Sequence, residues 1–334
     1  MKKKLLAAAL ALAFAGPVAA QGKGEAVKFH DYPGIGNMLV RVAISKGYCD
    51  KYGIKCSLQV IPSGPLGAQA MLAKSIDASF ISAEIMVGAI NKGAKMKMVV
   101  GGAVANTANL IVGNHMAAPN AGKGWPAFMQ DLKGKKLGVP ARGSLMETTA
   151  TWMLLKAGLK AEDVTFVAVG GPVTAYGALV SKQVDAIMMF EPAASMCNVL
   201  ATCKVIWSGG LDKQPAEQYA LNGGGSNLVF TQEYIDRNPN VIEAVIKAVK
   251  DADAFINAPA NFEEVVKIAE SFFKFDMPKG DEVLRASLKT AIDVRAYNAS
   301  INRNSVKAGL DFLVMTGQLD KAPPVSEFVL DKAP

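Results

Sequence analysis

The sequence predicts an α/β protein of two similar lobes, each a mostly parallel sheet flanked by helices, with the chain crossing between them at two hinges. Three observations carry this expectation. Short apolar runs alternate with helix-patterned segments along the 334 residues, as in folds built on parallel strands. The order of elements then repeats: Lys74, Asp77 and Ala78 return 108 positions later as Lys182, Asp185 and Ala186, and the strand SLQVIP returns as TFVAVGG. Finally, the tail from Gln232 onward is patterned as helices.

Taken in order, MKKKLLAAALALAFAGPVAA opens the chain. Lys2, Lys3 and Lys4 form a basic start, Leu5 to Ala15 an apolar stretch, and Val18 and Ala20 flank a cut before Gln21 with small residues. That is a secretory signal peptide over 1–20, too short to span a bilayer. No Cys follows the cut, which argues against a lipid anchor. The first part of lobe one takes 21–112. There VKFHDYP reads as a strand, and GIGNMLVRVAISKGY as a helix capped by Asn37 and ended by Gly47. CSLQVIP is the second strand; Ser63-Gly64-Pro65 opens a helix with Pro65 in its first turn, and Asp77 to Ile81 is the third strand. Lobe two, 113–209, holds the strand KKLGVP, the helix in ARGSLMETTATWMLLKAG, the strand TFVAVGG, a helix opened by Gly170-Gly171-Pro172, and the strand Ala186 to Phe190. Residues 210–334 return to lobe one. Asn238-Pro239 starts one helix, Asn261 caps another, and Asn304 or Ser305 starts a third that ends at Gly317. The crossings fall near 110–115 and 205–212, and hinge closure around a ligand belongs to the repertoire of such folds.

Composition narrows the function. Without its first three lysines the formal charge falls from +7 to +4. No block of basic residues with interleaved aromatics is present, which excludes nucleic acid as a natural partner. After the leader no apolar run reaches the roughly 18 residues of a membrane span. Four cysteines fall in two close pairs, Cys49 with Cys56 and Cys197 with Cys203. In an oxidising compartment these read as two local disulfides, with buried free thiols or zinc as alternatives. No cofactor motif is complete: Gly34-Ile35-Gly36 echoes a dinucleotide turn, but Leu39 stands where the third glycine belongs. Of the two histidines, His30 lies on a strand and His115 in a linker loop, neither with metal spacing. A catalytic triad would need one of them to meet a Ser and an acid that nothing locates.

In open parallel sheets ligands bind outside the carboxyl ends of the strands. That rule selects Gly36 and Asn37; Ser63, Gly64 and Pro65; Ser82 and Glu84; Arg142 and Ser144; Gly171 and Thr174; and Glu191. Most lie at helix starts, where free N–H groups and the dipole favour an anion by about 0.3–2 kcal/mol each. Arg142 is the fixed cation of this set, and a charge-assisted hydrogen bond adds about 1.5–3 kcal/mol. Micromolar binding needs about 8 kcal/mol, which one Arg, two hydroxyls and two helix ends would supply. Competing structural roles accompany these residues. Ser144-Leu145-Met146-Glu147 is a capping box, Thr174 fits a helix start, and Met146 and Tyr176 fit a core. Glu191 reads either as a helix-start or lobe-locking acid or as a ligand contact.

Five segments in order, VAISKGYCDKYGIKCSLQVIPSG, SIDASFISAE, DLKGKKLGVPARGS, LLKAGLKAEDVTFVAVGGP and SKQVDAIMMFEPAAS, carry a resemblance. From about Val27 to about Leu330 the chain resembles the periplasmic substrate-binding proteins of ABC importers, in the nitrate, sulfonate and taurine branch that shares its fold with thiamine-pyrimidine synthases. The resemblance implies the two-lobed periplasmic binding protein fold of type II. It also implies no enzymatic activity, a small anionic ligand (an organic sulfonate or carboxylate), and delivery to an inner-membrane ABC permease driven by a cytoplasmic ATPase. A monomer in the periplasm is expected. Nitrate, taurine or a pyrimidine are the alternative ligands. A sensor-associated binding protein and a thiamine-pyrimidine synthase-like enzyme are the rival functions. The family's aromatic-acid-Pro pattern falls on Phe190-Glu191-Pro192.

Overall fold

The computed structural model describes residues 22–32, 34–61 and 63–334; the expected signal peptide lies outside the described residues. The first stretch runs β1 (Glu25–Asp31), α1 (Met38–Ser45), α2 (Tyr48–Lys51), β2 (Ile54–Val60), α3 (Gly64–Leu72), β3 (Ala78–Ile81), α4 (Ala83–Ile90) and β4 (Met96–Ala103). The second runs β5 (Asn109–Gly113), β6 (Lys136–Val139), α5 (Leu145–Lys156), β7 (Thr165–Ala168), α6 (Pro172–Val180), β8 (Ala186–Met189), α7 (Ala193–Leu200) and β9 (Cys203–Ser208). Then follow α8 (Ala216–Tyr219), β10 (Ser226–Thr231), α9 (Gln232–Arg237), α10 (Pro239–Ile256), α11 (Phe262–Phe272), α12 (Gly280–Asp293) and α13 (Arg303–Met315).

The strands form two five-stranded sheets of one topology, β2-β1-β3-β10-β4 and β7-β6-β8-β5-β9. In each, four strands run one way and a single antiparallel strand, β10 or β5, is inserted between the outermost of them and the other three. The internal repeat has a physical cause. Asp77 accepts a hydrogen bond from Lys28 N–H at 2.8 Å, and Asp185 accepts one from Lys136 N–H at 2.8 Å. Each Asp thereby fastens the start of its strand to the neighbouring parallel strand, β1 or β6. Lys74 and Lys182 both adopt positive φ, 60° and 62°, in the turn before it.

Both sheets are covered on both faces, as parallel strands require. Alternate residues of β8 face opposite ways: Ala186 and Met188 pack under α5, Ile187 and Met189 under α6 and α7. On the first sheet α1, α10 and α11 cover one face and α3, α4 and α13 the other. The disulfides Cys49–Cys56 and Cys197–Cys203 tie α2 to β2 and α7 to β9.

Four expectations are corrected. The first crossing lies at 104–108, because residues 109–113 already form β5 in the second sheet. The second spans 209–225, between β9 and β10. The C-terminal helices touch both halves rather than lobe one alone: Val283 of α12 is buried with α7, and Phe312 of α13 packs edge-on against Trp152, ring centroids 5.6 Å apart. At the start of α13 the capping side chain is Asn302, which accepts from the N–H groups of Asn304 and Ser305. Its amide oxygen reaches the free N–H groups from one position outside the helix.

Candidate functional site

Residues at the carboxyl ends of strands from both sheets meet around one cavity of about 320 Å³. Tyr32 follows β1, Ser82 and Glu84 follow β3, Leu145 and Met146 follow β6, and Phe190 and Glu191 follow β8. The strand-end rule thus acts twice, once per sheet.

The first wall is held rigid from behind. Arg41, on α1, is 1% exposed. Its Nη2 donates to Asp31 Oδ2 at 2.9 Å and to Tyr32 O at 2.7 Å, and its Nη1 donates to Gly34 O. Tyr297 adds a hydroxyl hydrogen bond to Ile35 O at 2.7 Å. One guanidinium and one phenol therefore fix the carbonyls of Tyr32, Gly34 and Ile35. Burial pushes the Asp31 carboxyl up, and the Arg41 charge and hydrogen bonds oppose it. Burial also pushes the Tyr32 and Tyr297 phenols up, so both remain protonated. The Tyr32 ring meets Phe80 edge-on at 5.7 Å.

The second wall turns on Glu191. Its Oε2 accepts from Ser195 N–H at 3.2 Å, closing the first turn of α7, while the residue still lines the cavity. Burial pushes its carboxyl up, partly offset by hydrogen bonds from Ser195. One position beyond its counterpart in the sequence repeat, Glu84 also lines the cavity, and its Oε2 is buried without a hydrogen-bond partner.

The two crossings lie side by side beside this cavity. Val104 O accepts from Gly223 N–H at 2.7 Å and from Gly225 N–H at 3.0 Å. Asn222 receives Asn106 N–H on its side-chain oxygen at 2.8 Å and donates to Gly209 O at 2.8 Å. The approach needs glycine: a Cβ on Gly225 would lie 2.7 Å from Ala103 O, and one on Gly224 2.7 Å from the Ser305 backbone.

A model of the NMT1-like family matches residues 34–270. The chain belongs to the NMT1-like family. A Brucella abortus protein whose name marks it as a candidate binding protein is 28% identical over 241 residues, covering 72% of this chain and 69% of that protein. A Bordetella bronchiseptica structure is 25% identical with a TM-score of 0.67, covering 93% of this chain and 96% of its own. The periplasmic aliphatic sulphonate binding protein SsuA of Escherichia coli is 19% identical with a TM-score of 0.67, covering 92% and 98%. The nitrate-binding protein NrtA of Synechocystis has a TM-score of 0.60 at 17% identity over 79% and 70% of the chains. The desulfurization enzyme DszB has one of 0.63 at 14% identity over 92% and 97%. The last three share the two-lobed periplasmic binding protein fold with this NMT1-like chain.

Of the residues selected from this family member's sequence, the structure brings Gly36, Ser82, Glu84 and Glu191 into the cavity wall and leaves the others outside it. Asn37 is buried behind the wall, donating to His30 O at 2.8 Å. Ser63, Gly64 and Pro65 start α3, and Gly64 packs where a Cβ would meet the Tyr32 hydroxyl at 2.6 Å. Ser144 and Gly171 sit at N-cap positions, and the Thr174 hydroxyl donates to Gly171 O at 2.9 Å. Arg142 is exposed and held by Glu147, Nη2 to Oε1 at 2.8 Å, with its guanidinium over the Phe166 ring. The capping-box acid is thereby diverted: Glu147 accepts from Gly143 N–H and Arg142, while Ser144 accepts from Glu147 N–H.

Sequence reasoning missed Phe80, Asn106, Asn109 and Tyr297 in the wall. Asn106 lies in the first crossing, which was expected further along the chain, and Asn109 opens β5 just beyond it. Tyr297 comes from the helical tail, which was expected only to pack. His30 is structural, its Nε2 3.0 Å from Ile61 O and its Nδ1 3.3 Å from the Ser79 hydroxyl.

Proposed function

We propose that this protein is the solute-binding component of an ABC importer, exported to the periplasm. It takes a small solute into the cavity, closes its two lobes about the crossings at 104–108 and 209–225, and presents the loaded form to a membrane permease driven by a cytoplasmic ATPase. The cavity shared by the carboxyl ends of both sheets carries this reading. A site split across two lobes couples occupancy to shape, which a permease can sense. No Cys or His lines the cavity among the described residues, which supports binding over catalysis. Among the described residues no helix is long and apolar enough to cross a membrane.

The small organic anion expected from Arg142 draws support from the sulfonate and nitrate named for the structural neighbours. One observation favours a different ligand charge: the cavity wall holds two glutamates and no Lys, Arg or His among the described residues. Thermal melting of the purified exported protein tests the binding function. A small-molecule extract of cells should raise the melting temperature, since a ligand of the folded form stabilises it. No shift at any extract concentration would remove solute binding as the function. The same preparation should begin at Gln21 by N-terminal mass analysis.

A further inference from the structure

We infer that the cavity takes a small organic cation, its ammonium or amidinium nitrogen seated on Glu84 and Glu191 and its apolar body against Tyr32, Phe80 and Phe190. This rests on the solute-binding reading above and names the ligand class for the same site.

The wall itself argues for the charge. Glu84 stands on the first turn of α4 and lines the cavity. Its Oε2 is buried and has no hydrogen-bond partner, and no ion pair neutralises the side chain among the described residues. Buried polar atoms are ordinarily satisfied, so an unsatisfied carboxylate oxygen in a binding cavity marks the place of an external donor. Glu191 draws donors from Ser195 alone, its N–H and its hydroxyl, for two oxygens. A carboxylate accepts up to about four hydrogen bonds, so about half of its capacity is open.

Among the described residues no cation in the wall compensates these charges. Arg142, the basic residue expected here, is outside the wall and engaged by Glu147 through two guanidinium nitrogens. Arg41 is spent on Asp31 and on the carbonyls of Tyr32 and Gly34. An anion entering this wall would meet two like charges in a partly desolvated space. A cation meets two unpaired carboxylates and aromatic rings, whose faces attract positive charge. Burial lifts the Glu191 carboxyl, and a bound cation reverses that by holding it ionised.

The test is calorimetric titration of the exported protein with six probes sharing small bodies: benzylamine, benzamidine, benzyl alcohol, benzoate, benzenesulfonate and nitrate. The amine or amidine should bind at least tenfold tighter than the alcohol and either ring-bearing anion. Glu84→Gln should lose at least tenfold in that affinity while melting like the parent without probe. Glu191→Gln should lose affinity too, and it keeps an oxygen for Ser195 N–H. Tighter binding of benzoate, benzenesulfonate or nitrate overturns the cation assignment. So does amine affinity unchanged in both variants, or failure of benzylamine and benzamidine to bind. In each of these cases the extract-induced rise in melting temperature decides solute binding separately. If that rise persists, only the ligand charge is wrong.

Discussion

Glu191 serves two masters at the scale of one side chain. Its oxygen closes the first turn of α7, and its position at the end of β8 puts it in the cavity wall. Burial raises its carboxyl above the ordinary 4.5, so the folded state holds that proton at pH values where the unfolded chain has lost it. Stability from this group is therefore greatest below 4.5 and is lost as pH rises through the raised folded value. Glu191→Gln removes the penalty. The variant should melt higher than the unliganded parent at pH 8, and the difference should close as pH falls toward 4.5. An equal difference at both ends would show that the acid carries no burial penalty. Arg41 gives the opposite case. Arg41→Met leaves Asp31 buried without its counter-charge and frees the Tyr32 and Gly34 carbonyls. Breaking a buried pair from one side costs about 3–5 kcal/mol, which urea unfolding would measure. A loss under 1 kcal/mol would mean that water replaces the guanidinium. Sequence reasoning reached Glu191 because strand-end topology is local. It passed over Arg41 because a helix-borne Arg looks solvated until the chain folds its carbonyl partners around it.

At the scale of elements, the parallel strands were legible and the antiparallel ones were not. β1, β2, β3, β6, β7 and β8 each sit beside a helix start within their own segment, so run, turn and cap are read together. β5 and β10 pair with strands far along the chain, and no local turn announces them. The asparagine and glycine signals around them read instead as linker. Gly223-Gly224-Gly225 is the sharpest instance: it packs backbone against backbone. Gly225 meets Ala103 and Gly224 meets Ser305 at distances that leave no room for a methyl group. Gly224→Ala must push the crossing away from α13. Overpacking of this kind costs about 1–3 kcal/mol, again accessible to urea unfolding. Because Gly224 also lines the cavity, solute affinity should fall with stability. A variant with parental stability and affinity would show that the crossing yields freely.

At the scale of the molecule, the closure proposed above requires the two sheets to move relative to each other, and the packing says where they can. The crossings are joined by short hydrogen bonds through Val104, Asn106 and Asn222, so they bend as a unit. α12 and α13 reach across to the second half at Val283 and Phe312, which limits the motion to rotations that keep those contacts. The free edges are the first turns of α3 and α6, the equivalent helices of the repeat. There Leu66 and Val173 are exposed apolar residues, at 47% and 52%. The closure proposed above would bring the carboxyl ends of both sheets together and cover these turns. Saturation with solute should therefore lower the radius of gyration in small-angle scattering. It should also slow amide exchange at both turns, with little change in α10, whose apolar face is already buried on the first sheet. Slower exchange at the α3 turn alone, with an unchanged radius, would mean that the first half binds solute without closure and that the shape signal for a permease arises elsewhere.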